Sequence, residues 1–241
     1  MTSALAAVLW DMDGTIVDTE DFFTDAARDI VLQSGAAWTD DIEKALVGCT
    51  MEVLAATLIA AGVDLDPRLI IDRVVGRVGE QLETAIPWKS GASELLRELR
   101  DAGVSTALVT MSPRVLVQQV VAAIPFEAFD VIVTTDDVSN GKPAPDAYLL
   151  AASLLEVDIE QCVAIEDSGP GVASAVAAGA AVIAVPLPET PLPDAGYVRW
   201  DSLVGRSAQD LALVHARARR GTPPVAHLPH RAGGGASHKT P

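Results

Sequence analysis

Residues 5–15 read LAAVLWDMDGT, an apolar run that ends abruptly in two aspartates, a glycine and a threonine. The stretch from Leu5 to Trp10 carries no polar break, so it predicts a strand covered on both faces rather than one that alternates between core and solvent. Asp11 and Asp13 then fall at the carboxyl end of that strand, which is where ligands sit in open α/β sheets. Gly14 lets the backbone turn sharply straight afterwards. Two acids one residue apart in an apolar setting are costly unless a cation or a reaction needs them. A solvated turn or a structural metal site is the alternative reading of this stretch taken alone.

Four more apolar runs, Ser105 to Val109, Val131 to Val133, Cys162 to Ile165 and Ala181 to Val185, predict strands of the same kind. Helical patterns lie around them, over Ala92 to Asp101, Pro113 to Ala123, Asp146 to Leu155 and Gly171 to Ala178. Strands alternating with helices predict an α/β core with a doubly wound, Rossmann-like parallel sheet. From Asp18 to Ile86 the rhythm breaks, and only amphipathic helical runs are found. Phe22, Phe23, Ala26, Ala27 and Ile30 form one stripe; Val53, Leu54, Thr57, Leu58 and Ala61 form a second; Leu69, Ile70, Arg73, Val74 and Arg77 begin a third. An all-α domain inserted into the core is the expectation. Residues 1–17 and 87–220 would make the catalytic core and 18–86 the helical cap, with hinges near Thr15–Thr19 and Ile86–Lys89.

A last helix is expected over Ala208 to Arg219, followed by a tail, 221–241, rich in Gly, Pro, His and Ser. Such a tail buries too little apolar surface to order itself, and His227, His230 and His238 read as incidental to it. The whole chain has 241 residues, 49% of them hydrophobic, enough for one sizeable core with a smaller companion. Its formal net charge of -16 argues against nucleic acid and against anionic membranes as partners, because both are bound by neutralising phosphate with Lys and Arg. The two cysteines, Cys49 and Cys162, are far apart and read as ordinary thiols, which fits a reducing, cytoplasmic compartment. The apolar run at the start lacks the basic flank of a secretory signal, and no segment approaches the roughly 18 apolar residues of a membrane span. Nothing in the pattern chooses between a monomer and a dimer.

Three further clusters carry chemistry. In residues 109–113, VTMSP, a strand ends in Thr110 before a helix, with Ser112 expected as N-cap and Pro113 at the first helical position. The Thr110 hydroxyl and the Met111 backbone N–H suit a phosphate oxygen near a helix start. In residues 140–146, NGKPAPD, Lys142 stands in a proline-flanked turn, where an ammonium can neutralise a phosphoryl oxygen or simply face solvent. In residues 165–169, IEDSG, Glu166 and Asp167 offer hard oxygen ligands suited to Mg²⁺ at another strand end, or else a solvated turn. Together the clusters are complementary: acids for a cation, a hydroxyl and a lysine for a phosphate.

In this order the four clusters, DMDGT, VTMS, GKPAPDAY and IEDSGPGV, resemble the four motifs of the haloacid dehalogenase-like superfamily. The helical interval resembles the subgroup with an inserted α-helical cap, which includes phosphoglycolate and sugar-phosphate phosphatases and β-phosphoglucomutase. The resemblance implies a Mg²⁺-dependent phosphatase that takes a small phosphorylated metabolite through an aspartyl-phosphate. Asp11 would be the nucleophile and Asp13 the general acid and base. Mg²⁺ would bind Asp11, the Asp13 backbone carbonyl and Asp167, with Glu166 as a further ligand or its support. Thr110, Met111 and Lys142 would hold the phosphoryl group. An Asp at position 13 also separates the chain from the dehalogenases.

The mutases of this subgroup carry a histidine and an arginine where this sequence aligns Phe23 and Met51, so hydrolysis is the favoured reading and mutase the alternative. A non-catalytic binding protein on the same fold is a further alternative, but each catalytic position is filled. The cap loop from Val47 to Val53 is expected to select substrate, with Gly48 for the turn and Thr50 and Glu52 as polar candidates. Without a basic pair, that loop disfavours a doubly phosphorylated substrate.

Overall fold

The structure, a computed structural model, describes residues 4–47, 49–187 and 190–220. Among them the sheet has strands β1 (Ala7–Trp10), β2 (Ser105–Val109), β3 (Val131–Val133), β4 (Cys162–Glu166), β5 (Ala181–Ala184) and β6 (Tyr197–Arg199). Their order is β3-β2-β1-β4-β5-β6, and every pairing is parallel. The chain therefore winds outward one way from β1 and then back across to β4, which leaves a switch point between β1 and β4. β6 was not expected. Its three residues are half-buried at the sheet edge after a proline-rich stretch, too short for periodicity to register.

The helices are α1 (Glu20–Gln33), α2 (Asp40–Leu46), α3 (Met51–Ala60), α4 (Pro67–Thr84), α5 (Ala92–Asp101), α6 (Arg114–Ala122), α7 (Asp146–Leu154), α8 (Gly169–Ala178) and α9 (Ala208–Ala218). The alternation of strand side chains sorts those of the core into two layers. Val8, Trp10, Leu108 and Ile165 face Leu95, Leu96 and Leu99 of α5, Leu116 of α6 and Leu211 of α9. Ala7, Leu9, Val109 and Ala164 face Ala147, Tyr148 and Ala151 of α7 and Val172 and Ala175 of α8. Each fully buried leucine contributes about 2 kcal/mol. The α7–α8 layer is built mostly of alanine and valine, so those two helices lie close against the sheet.

α1 to α4 form the inserted helical cap. Along α4, Ile70, Val74, Val78 and Leu82 recur every four residues and meet Ala26, Ala27, Ile30 and Val31 of α1 and Leu54, Ala55 and Leu58 of α3. In two expected stripes Leu54, Leu58, Ile70 and Val74 are buried as read, but Val53, Leu69 and Arg73 are exposed, while Ala55 and Val78 are buried. α3 is apolar on nearly all sides, so its pattern does not fix a face. On α4 the ridge that fills the groove is set by packing against α1.

The chain enters and leaves this insertion side by side. Asp18 N–H donates to the Pro87 carbonyl at 2.7 Å, Lys89 N–H donates to the Ile16 carbonyl at 2.8 Å, and Val17 and Trp88 form an antiparallel bridge. The two cysteines are free, with Cys162 buried and Cys49 partly so. No helix among the described residues is long and apolar enough to cross a membrane. The tail 221–241 lies outside the described residues.

Returning from the cap, the chain starts α5 at Gly91, whose φ is +87°. A Cβ there would stand 2.5 Å from the backbone of Leu203 and Val204. Gly91→Ala should therefore lower the unfolding free energy, measured by urea denaturation, by more than the about 1–2 kcal/mol of the left-handed conformation alone. Gly103→Ala is the comparison, because Gly103 has a similar positive φ with nothing within 4 Å of the added atom. Equal losses at the two positions would show that the Leu203–Val204 approach costs nothing.

Candidate active site

The carboxyl ends of β2, β1 and β4 lie next to one another, and Lys142 reaches them from the loop before α7. Its ammonium is 2.6 Å from Asp11 Oδ1, 2.6 Å from Glu166 Oε1 and 2.9 Å from the Val109 carbonyl. The three contacts match the three N–H bonds that an ammonium has. All three charged side chains are nearly or fully buried. The alternative of a solvent-facing loop lysine is therefore set aside. Gly141 lets the loop close: a Cβ there would meet Met111 Sδ at 2.8 Å. Lys142 N–H also donates to that sulfur at 3.4 Å.

Asp13 sits in a cradle of hydroxyls. Thr19 donates to its Oδ1 at 2.5 Å, Ser112 to its Oδ2 at 2.6 Å, and Thr110 to the same oxygen at 3.3 Å. This corrects the reading of Ser112 as a helix cap. α6 begins at Arg114 with Pro113 at the N-cap and no side-chain cap, and the Ser112 hydroxyl is turned to Asp13 instead. Sequence reasoning missed Thr19, whose only signal was its place in the hinge. It also missed Tyr148, two residues into α7, whose hydroxyl donates to Glu166 Oε1 at 2.6 Å.

Glu166 ends β4 fully buried. Its Oε2 accepts from the Asp167 N–H at 3.2 Å and the Ser168 hydroxyl at 3.3 Å. Gly171, in the first turn of α8, makes room for it, since a Cβ there would fall 2.0 Å from that oxygen. Asp167 stands against Gly14, whose φ is +82° and whose Cβ would lie 1.9 Å from Asp167 Oδ2. The glycine of the first motif therefore serves twice, in the turn and in the approach of a carboxylate from another strand.

Asp11, Glu166 and Asp167 each offer an oxygen within 4.8 Å of the others. Burial, then the charge of Glu166, raises the Asp11 pKa to about 8, against a pull down from Lys142. Burial, then Asp11 and Glu166, raises that of Asp167 to about 9. Burial works against the Lys142 charge, but the Asp11 and Glu166 carboxylates more than offset it and hold its pKa above the usual lysine value. One ammonium thus faces more negative charge than it can neutralise. Asp11 Oδ2 is buried with no hydrogen-bond partner among the described residues. A cage of hard oxygens with surplus negative charge and an orphaned carboxylate oxygen fits a bound divalent cation.

In the cap, Thr50 accepts from the Val53 N–H at 3.4 Å and so caps α3. Glu52 is exposed in the first turn of that helix. Gly48 lies outside the described residues.

The fold and this acidic, lysine-bridged site define a doubly wound α/β core with a helical insertion and a carboxylate cluster at its switch point. The sequence pattern of the haloacid dehalogenase-like hydrolases matches residues 8–185, and the chain belongs to that family. It is 36% identical over 185 residues to the bifunctional riboflavin kinase/FMN phosphatase of Arabidopsis thaliana, a match that covers 75% of this chain and 48% of that protein. The chain thus spans about half the length of that relative. It is 31% identical over 180 residues to the phosphorylated carbohydrates phosphatase of Thermotoga maritima, covering 73% of this chain and 82% of the relative. Among solved structures, CbbY from Rhodobacter sphaeroides in complex with xylulose-(1,5)bisphosphate superposes with a TM-score of 0.76 at 27% identity, over 86% of this chain and 99% of that one. The family to which it belongs is one of hydrolases.

A carboxyl whose pKa is raised by folding stabilises the fold while it is protonated and weakens it as it ionises. Stability of the metal-free protein should therefore fall as pH rises from the ordinary carboxylate value of 3.8 towards 8 and 9, the values for Asp11 and Asp167. A divalent cation needs these groups ionised, so the gain in melting temperature on adding Mg²⁺ should grow between pH 5 and pH 9, as scanning calorimetry would record. A gain that is flat or shrinks over that range would count against the cage as a cation site.

Proposed function

We propose that this protein is a Mg²⁺-dependent phosphatase that hydrolyses a small phosphate monoester, a sugar phosphate or a phosphoglycolate-like compound, through an aspartyl-phosphate on Asp11. One observation carries the reading: the buried Asp11 carboxylate has one oxygen on Lys142 and the other unpartnered, beside an Asp13 held by three hydroxyls. The names of the curated relatives, phosphatases of FMN and of phosphorylated carbohydrates, support the substrate class.

In this mechanism Asp11, Asp167 and the Asp13 backbone carbonyl would hold the cation, with Glu166 as a further ligand or its support. When bound, Mg²⁺ supplies positive charge against Asp11 and the phosphoryl oxygens. Lys142 redirects N–H bonds to the phosphoryl group, assisted by the Thr110 hydroxyl and the Met111 N–H. An Asp11 oxygen forms a bond to phosphorus as the bond to the leaving oxygen breaks, and Asp13 gives that oxygen its proton. Asp13 then takes a proton from water, the water oxygen attacks phosphorus, and the P–O bond to Asp11 breaks to release inorganic phosphate.

Residues 1–17 and 87–220 serve as the catalytic core in this reading and 18–86 as the cap, which closes over the site through the paired segments at Val17 and Trp88. Thr50 and Glu52, with Gly48, are the cap residues that set preference. The mutase alternative finds no support at Phe23, which packs against the hydrophobic core and has no proton to offer. Two free cysteines and the acidic charge fit a cytoplasmic protein.

Phosphate release from a panel of monoesters, with one bisphosphate included, tests the reading. Release should require Mg²⁺, stop with chelator, and fall by at least about a thousandfold in Asp11→Asn, the scale on which loss of a nucleophile acts. Undiminished release in Asp11→Asn, or isomerisation of a sugar phosphate without net release, would sink it.

A further inference from the structure

Tyr148 belongs to none of the roles assigned above, yet it is fully buried against two of the groups that carry them. Its hydroxyl donates to Glu166 Oε1 at 2.6 Å, the same oxygen that Lys142 contacts at 2.6 Å. Its ring centre lies 5.3 Å from the Lys142 ammonium. A phenylalanine would fill the same space and keep the ring, so packing alone does not require the oxygen.

Every N–H of Lys142 already has an acceptor: Asp11, Glu166 and the Val109 carbonyl. Lys142 can grip a phosphoryl oxygen only by releasing one of them. Releasing Asp11 or Glu166 would leave a buried carboxylate oxygen short of a donor, which is costly for a charged group. Glu166 is the member prepared for that loss. Oε2 is held by the Asp167 N–H and Ser168, and Oε1 retains the Tyr148 hydroxyl when the ammonium turns away.

We propose that Tyr148 is a positioning residue. Its hydroxyl fixes the Glu166 carboxylate in the cation cage and frees Lys142 to exchange that carboxylate for a phosphoryl oxygen. The proposal rests on the reading of the site as a cation-dependent phosphatase, and adds a second-tier contact of the kind that commonly changes metal affinity by about 10–100-fold.

The test is Tyr148→Phe, alone and in a Glu166→Gln background, with Mg²⁺ and inorganic phosphate binding measured by calorimetry in the absence of substrate. Tyr148→Phe should bind Mg²⁺ at least about tenfold more weakly and inorganic phosphate more weakly as well. In the Glu166→Gln background the same change should have no further effect, because Tyr148 acts through Glu166. The melting-temperature gain on adding Mg²⁺ should shrink in Tyr148→Phe, whereas a merely structural hydroxyl would lower the melting temperature equally with and without the metal. That parallel loss, wild-type affinity for both ligands, or an undiminished effect in the Glu166→Gln background would each overturn the proposal. A wild type that binds Mg²⁺ but releases phosphate from no monoester would overturn the phosphatase reading and leave the Tyr148 comparison intact; one that binds no Mg²⁺ overturns both.

Discussion

The Lys142 ammonium joins the ends of three neighbouring strands: Val109 closes β2, Asp11 follows β1, and Glu166 closes β4. Burying one charge among so many is expensive, and it is tolerated because each N–H meets an acceptor at hydrogen-bond distance. The rest of the site is arranged around that bridge. The glycines at 14, 141 and 171 are places where a side chain would strike a member of the cluster or the sulfur that seats its loop. The lysine thus fixes where the backbone must come close as well as where charge resides.

Much of this was legible in the sequence because it rests on short-range pattern. Continuous apolar runs ending in chemistry marked β1, β2 and β4, and the order of their terminal residues gave the core. The structure then brought Asp11, Asp13, Thr110, Lys142, Glu166 and Asp167 to one place. What escaped notice was set by three-dimensional context. Ser112 has the sequence signature of a helix cap, yet its hydroxyl turns to Asp13, which lies across the strands. The sequence does not single out Tyr148 within its helix, and only the placement of Glu166 gives its hydroxyl a purpose. β6 owes its pairing to β5 rather than to its own three residues.

The cap shows the same division. Its helical content follows from periodicity, but the buried ridge of α4 is chosen by the surface of α1, and the nearly uniform apolarity of α3 leaves its face open until α4 arrives. Local sequence proposes elements; partners choose their orientation.

The side-by-side passage of the chain at Val17 and Trp88 has a further consequence. An insertion whose two ends lie a hydrogen bond apart adds almost nothing to the distance the host chain must bridge, and the entropy of closing a loop grows only slowly with its length. The helical unit can therefore be lengthened, shortened or exchanged for another without rethreading the sheet or moving Lys142. The sheet with its carboxylates behaves as a socket of fixed wiring, and the helical unit beyond Thr19 as an exchangeable attachment.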